Sequence, residues 1–165
     1  MAMKTDPGSD GLLMLPFGNG AERMLNNMEI GASLHNLNFN RHTDAHLTRA
    51  AQEGIVYAFH YGMEIMKTTG INPSVIRAGN ANMFLSSVFR ETLASLTGAT
   101  IELYHTDGSE GAAKGAGIGS GVYNSFQDAF ESLQQILVIE PDHKQSDFYK
   151  RAYDQWDKIL QGKIN

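Results

Sequence analysis

The residues best suited to chemistry lie in Ile76-Arg77-Ala78-Gly79-Asn80-Ala81-Asn82, a bend of small residues between a short apolar run and a stretch of helical periodicity. At the C-terminal end of a parallel strand such a bend lets a ligand approach the backbone. The helix start that follows offers N–H groups and a partial positive charge to phosphate oxygens. Asn80 and Asn82 add amide groups that can meet a base or ribose edge. Gly79, Asn80, Ala81 and Asn82 are therefore the candidate nucleotide-binding residues. The same residues also suit an ordinary strand-to-helix loop in which Asn82 caps the helix.

Other groups carry weaker chemical signals. Lys114 to Gly121 has glycine at every second position, which invites a dinucleotide-fingerprint reading, yet Asp107 to Lys114 separate it from the preceding strand. Asp107-Gly108-Ser109-Glu110 already reads as a helix start, which puts the glycines inside a helix. There Ala112, Gly115, Ala116 and Gly119 would permit a close crossing against a neighbour, at about 1 kcal/mol of helix propensity per Gly. His42 and His46 stand four apart and could face one metal ion, but no metalloprotease Glu follows. They read as a solvated first-turn pair, and no metal site is assigned. Glu53, Glu64 and Glu91 are expected on solvated helix faces, without a partner that would mark them for proton transfer, so no catalytic residue is nominated. No Ser lies in a nucleophile elbow.

The elements that must position the bend follow from periodicity. After a flexible leader over residues 1–10, rich in turn formers, Leu12 to Phe17 and Ile30 to Leu37 read as strands. A long helix begins near Thr43-Asp44 and ends at Gly70, with Leu47, Ala50, Ala51, Gly54, Ala58, Tyr61 and Ile65 forming a small apolar face for close packing on a sheet. Ser74 to Ala78 and Thr100 to His105 are strands. Phe84 to Leu96, Glu110 to Tyr123, Phe126 to Leu133 and Asp147 to Leu160 are helices. The last of these carries an aromatic stripe that docks on the domain body. Strand and helix alternation implies a parallel sheet with helical crossovers. The pattern is α/β and close to the actin-like, ribonuclease H-like architecture, a mixed sheet flanked by helices; that fold has three leading strands, and two are visible.

Composition narrows the class. The chain has 165 residues, 42% of them hydrophobic, enough for one domain with a substantial core. Its net charge of −5 is spread without blocks, which argues against a nucleic-acid partner. The absence of Cys excludes disulfides, thiolate metal sites and a cysteine nucleophile. No apolar run suggests a signal peptide or a membrane span, so the chain is read as soluble and cytoplasmic.

Four segments then carry a family likeness. Gly11-Leu12-Leu13-Met14-Leu15-Pro16-Phe17 through Gly20-Ala21-Glu22-Arg23 resembles a signature of the FGGY carbohydrate kinases, taken as the opening of their C-terminal domain. Ala32 to Leu37 with His46 to Glu53 resembles a second signature, with Asn36 standing where Gly is usual and Gln52 where an apolar residue is usual. Ala78 to Asn82 is similar to the family's adenosine loop, with an Asn-Ala replacement of glycines, and Glu110 to Ala116 to its small-residue helix. The overall look is that of the xylulokinase branch.

This resemblance implies that residues 11–165 are the C-terminal, nucleotide-side domain of a two-domain kinase. Such an enzyme closes around ATP, magnesium and a sugar, and the resemblance implies D-xylulose going to xylulose 5-phosphate. The sugar pocket, the catalytic aspartate and the phosphate hairpins would belong mainly to an N-terminal domain absent from this sequence. The pentulose and magnesium would be met through it, and the chain alone would be inactive. An apolar face left by that half could drive a homodimer. Two other classes stand beside this reading: a non-catalytic nucleotide-binding or regulatory module of the same fold, and a Rossmann-type oxidoreductase resting on Gly115 to Gly121. The last requires that segment to form a loop beside a strand.

Overall fold

The computed structural model describes all 165 residues. β1 (Leu13–Phe17) pairs antiparallel with β2 (Gly31–His35), Leu15 opposite Ser33. The long helix α1 (Asp44–Thr68) follows, and then β3 (Val75–Gly79), α2 (Ser87–Thr97) and β4 (Thr100–Tyr104) form one βαβ run with β3 and β4 parallel. After α3 (Gly108–Gly119) and the short α4 (Phe126–Phe130), β5 (Gln135–Ile139) returns antiparallel beside β4. The chain ends in α5 (His143–Ile164). The strands thus form a pair, β1-β2, and a mixed triplet, β3-β4-β5.

Alternation drives β1: Leu13, Leu15 and Phe17 are buried while Met14 and Pro16 are half-buried. α1 lies across this strand. Its closest approach is Gly54, where a Cβ would fall nearer than 3.0 Å to the Met14 carbonyl oxygen and 3.2 Å from its carbon. The helix ends where Gly70 takes φ 84°, with Ile71 N–H returning to the Met66 carbonyl. α5 completes the core beside α1. Tyr149, Trp156 and Leu160 are buried, and the Trp156 indole N–H donates to the Met14 carbonyl at 2.7 Å. Of the aromatic stripe, Tyr149 and Trp156 are buried and Tyr153 half-buried, while Phe148 stays exposed.

Several expectations need correction. Residues 1–10 are not a free leader. Ala2, Gly8 and Ser9 are buried, Gly8 N–H donates to Glu53 at 2.9 Å, and the Thr5 carbonyl accepts from Arg49 at 2.9 Å. Glu53 is correspondingly not on a solvated face: it is 1% exposed and paired to Arg49 at 2.8 Å. The buried stripe of α1 is rotated from the expected one. Leu47 and Ile65 are exposed, while Arg49, Glu53, Tyr57 and His60 turn inward, because the first ten residues and α5 cover that side, giving polar partners to Arg49 and Glu53 and aromatic rings to Tyr57 and His60. An apolar-only count could not anticipate a buried ion pair satisfied by backbone groups.

The helix expected over Phe84 to Leu96 is broken at Ser86, which closes a 3₁₀ turn (Asn82–Leu85) and opens α2. β5 was not anticipated, and α5 starts four residues earlier than the expected Asp147. There the Asp142 side chain accepts from Lys144 N–H at 2.9 Å.

Candidate functional site

β3 and β4 are parallel, so their C-terminal ends emerge side by side, and the two loops that follow build the walls of one cleft. The first loop is Gly79 to Asn82. Asn82 sits at φ 51°, a left-handed conformation that Asn tolerates better than most residues, and this folds the chain into the 3₁₀ turn. Asn82 therefore does not cap α2. The residue that precedes that helix is Ser86.

Gly79 has a different purpose from the one its sequence context suggests. A Cβ there would fall nearer than 3.0 Å to the Thr106 carbonyl oxygen and 3.1 Å from its carbon, so the glycine admits the protein's own β4–α3 loop. The nearby amides are also engaged internally. Asn80 N–H donates to the Tyr104 carbonyl at 2.9 Å and Ala81 N–H to the Gly79 carbonyl at 2.8 Å. The expectation that amides beside Gly79 stand open to a phosphate is thus corrected.

The bend itself is accessible. Asn80 and Asn82 are exposed and Gly79 and Ala81 half-buried. Asn80 and Ala81 face a cavity of about 620 Å³ whose opposite wall is His105, Thr106, Asp107 and Glu110. Gly79 edges a second hollow of about 450 Å³ with Arg77, Tyr104 and Phe130, and Ala81 and Asn82 a third of about 310 Å³ with Phe59, Phe84 and Phe89. All four candidate residues thus line the cavities at one end of the sheet.

The second loop was not read from the sequence as part of the site. Asp107 caps α3: its Oδ1 accepts from Ser109 N–H at 2.9 Å, Glu110 N–H at 3.0 Å and Ser109 Oγ at 2.6 Å. The Ser109 hydroxyl and these amides hold the carboxyl below its usual value. The signal that could have found it was the capping pattern directly after β4, since parallel neighbours must end on the same side.

Arg77 and Glu102 pair at 2.8 Å on the sheet face beside the cleft, and Tyr104 donates to the same carboxylate at 2.8 Å. The hydrogen bond from Arg77 lowers the Glu102 carboxyl, and that to Glu102 raises the Tyr104 phenol. Lys114, the nearest cation on α3, turns away from the cleft: it sits 3.3 Å from Glu110, bonds Ser132 and lies over the Phe130 ring.

The remaining sequence candidates lie elsewhere. The Gly115 to Gly121 run starts inside α3, which removes the Rossmann reading. Ala112, Gly115, Ala116 and Gly119 are exposed, and no atom stands within 4 Å of a Cβ built on Gly115 or Gly119, so the expected close crossing is absent. Gly117 alone meets a neighbour, the Tyr123 ring at 2.7 Å. The His42 ring is tucked in rather than solvated, its side chain 2% exposed beneath Asp10. His42 Nδ1 accepts from Asn38 N–H at 3.0 Å and His46 Nδ1 from Thr43 N–H at 3.1 Å. Both imidazoles thus serve the start of α1. Glu64 and Glu91 are exposed on their helices, as expected.

No protein-family model matches the chain. Among curated proteins it is similar to the L-xylulose/3-keto-L-gulonate kinase of Escherichia coli K12, 30% identical over 124 residues, covering 72% of this chain and 24% of that protein. It is likewise similar to the xylulose kinase of Staphylococcus epidermidis RP62A, 27% identical over 164 residues, covering 96% of this chain and 32% of the relative. Among solved structures, the ligand-bound xylulose kinase from Lactobacillus acidophilus superposes with a TM-score of 0.80 at 21% identity, over 98% of this chain and 33% of that one. The chain spans about a third of the length of these relatives or less. The departures noted in the signatures have local reasons: Asn36, where Gly is usual, takes φ 65°, and Gln52 accepts from Ser86 Oγ at 2.7 Å. The architecture is the actin-like ATPase fold, and the chain is a homologue of the FGGY-family sugar kinases, xylulokinase-like, matching the C-terminal part of those proteins.

Proposed function

We propose that this chain forms the adenosine-side wall of an ATP-dependent sugar kinase, one that phosphorylates a pentulose such as D-xylulose to xylulose 5-phosphate. The observation that carries the reading is the cleft at the C-terminal ends of β3 and β4, which Asn80, Ala81 and Glu110 line, in a chain homologous to xylulose kinases. Gly79, Asn80, Ala81 and Asn82 are its nucleotide-binding residues. Gly79 shapes the bend, Ala81 keeps the cavity open, and the two Asn side chains supply donors and acceptors.

Phosphoryl transfer needs a positioned sugar, a group that accepts the hydroxyl proton, and cations on the transferring phosphate. The cleft supplies no Lys or Arg for the last of these. Its one carboxylate not engaged in capping, Glu110, does not fit a magnesium ion by itself, because that ion keeps an octahedron of oxygen ligands. Residues 11–165 act as the nucleotide-side domain, the sugar and magnesium are met through a sugar-side domain, and this chain alone turns nothing over. The setting is the cytoplasm, where ATP is abundant. The apolar hollow formed by Met14, Phe17, Met24, Phe59 and Met63 is the face through which the chain meets that domain, or pairs with a second copy.

Calorimetry with ADP tests the reading on the chain and on Ala113→Trp, an exposed α3 position facing the same cavity as Asn80. ADP binds the parent weakly and the variant not at all. Equal heats from both would remove the cleft from nucleotide binding. A non-catalytic module of the same fold gives the same calorimetry. It is separated by adding a sugar-side domain of a xylulose kinase and assaying xylulose-dependent ADP release, which the module does not restore.

A further inference from the structure

The first ten residues, α2 and the β5–α5 junction enclose a cavity of about 390 Å³ that shares no residue with the cleft. Its floor is polar although buried: Arg49, Thr92, Ser95 and Tyr149 line it, and each is 7% exposed or less. Their hydrogen bonds do not use every donor. Arg49 gives Nε–H to Glu53 at 2.8 Å, Nη1–H to the Thr5 carbonyl at 2.9 Å and Nη2–H to the Tyr149 hydroxyl at 3.2 Å, which leaves two of the five guanidinium N–H groups over. Thr92 and Tyr149 share one hydrogen bond at 3.2 Å, so one of their two hydroxyl protons has no acceptor. Ser95 Oγ accepts from Asp142 N–H at 3.2 Å, and its own proton is likewise spare. Buried donors are nearly always paired, so this floor calls for an occupant rich in acceptors. The mouth calls for donors. Glu91, Glu140 and Asp142 are exposed there, and Arg49, the one cation on the cavity, is already balanced by Glu53. Asp142 also caps α5 and Glu140 accepts from Thr100, yet each carboxylate keeps acceptor capacity.

From this we infer that the cavity binds a small diamino acid, its carboxylate held by the spare donors of the floor and its ammonium groups by Glu91, Glu140 and Asp142. A carboxylate has about four lone-pair sites, enough to receive the spare N–H and O–H groups as charge-assisted bonds. The methylene stem of such a ligand finds apolar wall at Met3, Pro7 and Val88. Two ammonium groups give it a net positive charge, which three carboxylates at the mouth attract. A phosphorylated or dicarboxylic ligand would instead set its second charge against them. The site stands apart from the nucleotide-side reading, since no side chain serves both.

Backbone amide NMR titrations of the whole chain at low salt with L-lysine, cadaverine and L-norleucine test this. Cadaverine lacks the carboxylate and norleucine the side-chain ammonium. L-Lysine shifts the amides of Glu91, Ser95 and Gln145 and binds roughly fivefold more tightly than either analogue. Ser95→Ala weakens lysine and norleucine several-fold and leaves cadaverine unchanged. Glu91→Gln, at an exposed position on the mouth, weakens lysine and cadaverine, leaves norleucine unchanged and does not touch the buried floor. Cadaverine or norleucine binding as tightly as lysine overturns the inference, as does a lysine affinity that Glu91→Gln leaves unaltered. Shifts at none of the three amides with any ligand mean that water alone fills the cavity, and overturn it too.

Discussion

Gly54→Ala and Gly62→Ala place the same methyl group on the same helix in opposite surroundings. At Gly62 no atom stands within 4 Å of the new Cβ, and the substitution gains helix propensity, about 1 kcal/mol. At Gly54 the new atom meets the Met14 carbonyl oxygen nearer than 3.0 Å, its carbon at 3.2 Å and the Met14 Cβ at 3.3 Å. Two of these three are backbone atoms of β1, which cannot rotate aside, so α1 must lift from the strand it packs on. Overpacking of this kind costs about 3 kcal/mol, which the propensity gain reduces to about 2. The two variants should therefore differ by about 3 kcal/mol. With a urea m-value of roughly 2 kcal/mol/M, their unfolding midpoints separate by about 1.5 M, Gly62→Ala above the parent and Gly54→Ala below it. Urea titration followed by far-ultraviolet circular dichroism reads this directly. A Gly54→Ala midpoint at or above that of the parent would mean that α1 does not approach β1 this closely, and the account of the core would fail with it.

Glu53→Gln removes the negative charge opposite the buried Arg49 and leaves one amide oxygen to serve Arg49, Gly8 N–H and the Ser9 hydroxyl; it should cost about 3 kcal/mol in urea unfolding and speed amide exchange at Gly8. Trp156→Phe removes the donor to the Met14 carbonyl and should cost about 2 kcal/mol, and combined with Gly54→Ala it should cost less than the sum, because both act on that one carbonyl. His60 packs edge-on against Tyr153, its Nδ1 is unpartnered, and burial lowers its pKa from the usual 6.5, outweighing Glu64 while Lys67 and Lys150 assist. The unfolded chain thus binds the proton more readily. Stability should fall as pH drops below 6.5, and His60→Asn should flatten that slope in urea midpoints measured at successive pH values.

How much of this was legible in the sequence depended on the kind of force involved. β1, β3, β4, α1 and α5 announced themselves because each has apolar residues at a period that matches its geometry, from the Leu13, Leu15, Phe17 alternation to the Tyr149, Tyr153, Trp156 spacing. β5 did not, since its Ile136, Leu137 and Val138 are a continuous apolar run that stays largely exposed at the sheet edge and has no period to read. The rotation of α1 was invisible for a different reason. Arg49 and Glu53 are polar by type and buried by circumstance, and their partners Thr5, Gly8 and Ser9 lie more than forty residues away.

The cleft shows the same division at closer range. Its loop residues Asn80 and Ala81, with Gly79 and Asn82 on the adjoining hollows, were legible because a strand followed by small residues and a helix is a local pattern. The facing wall was missed because it is made by adjacency of two parallel strands. The glycine at the heart of the pattern also had two available meanings, admission of a ligand or admission of the chain's own backbone, and the Thr106 carbonyl decides between them. If Gly79 exists to let the second loop close on the first, its replacement disturbs the cleft through the fold whatever the ligand. Recognition must then be sought in side chains that can be changed without moving that contact. Ala113 and Glu110 are such positions, both on the exposed face of α3 and both on the cavity, and substitutions there, rather than at the glycine, test the proposed nucleotide binding without moving that contact.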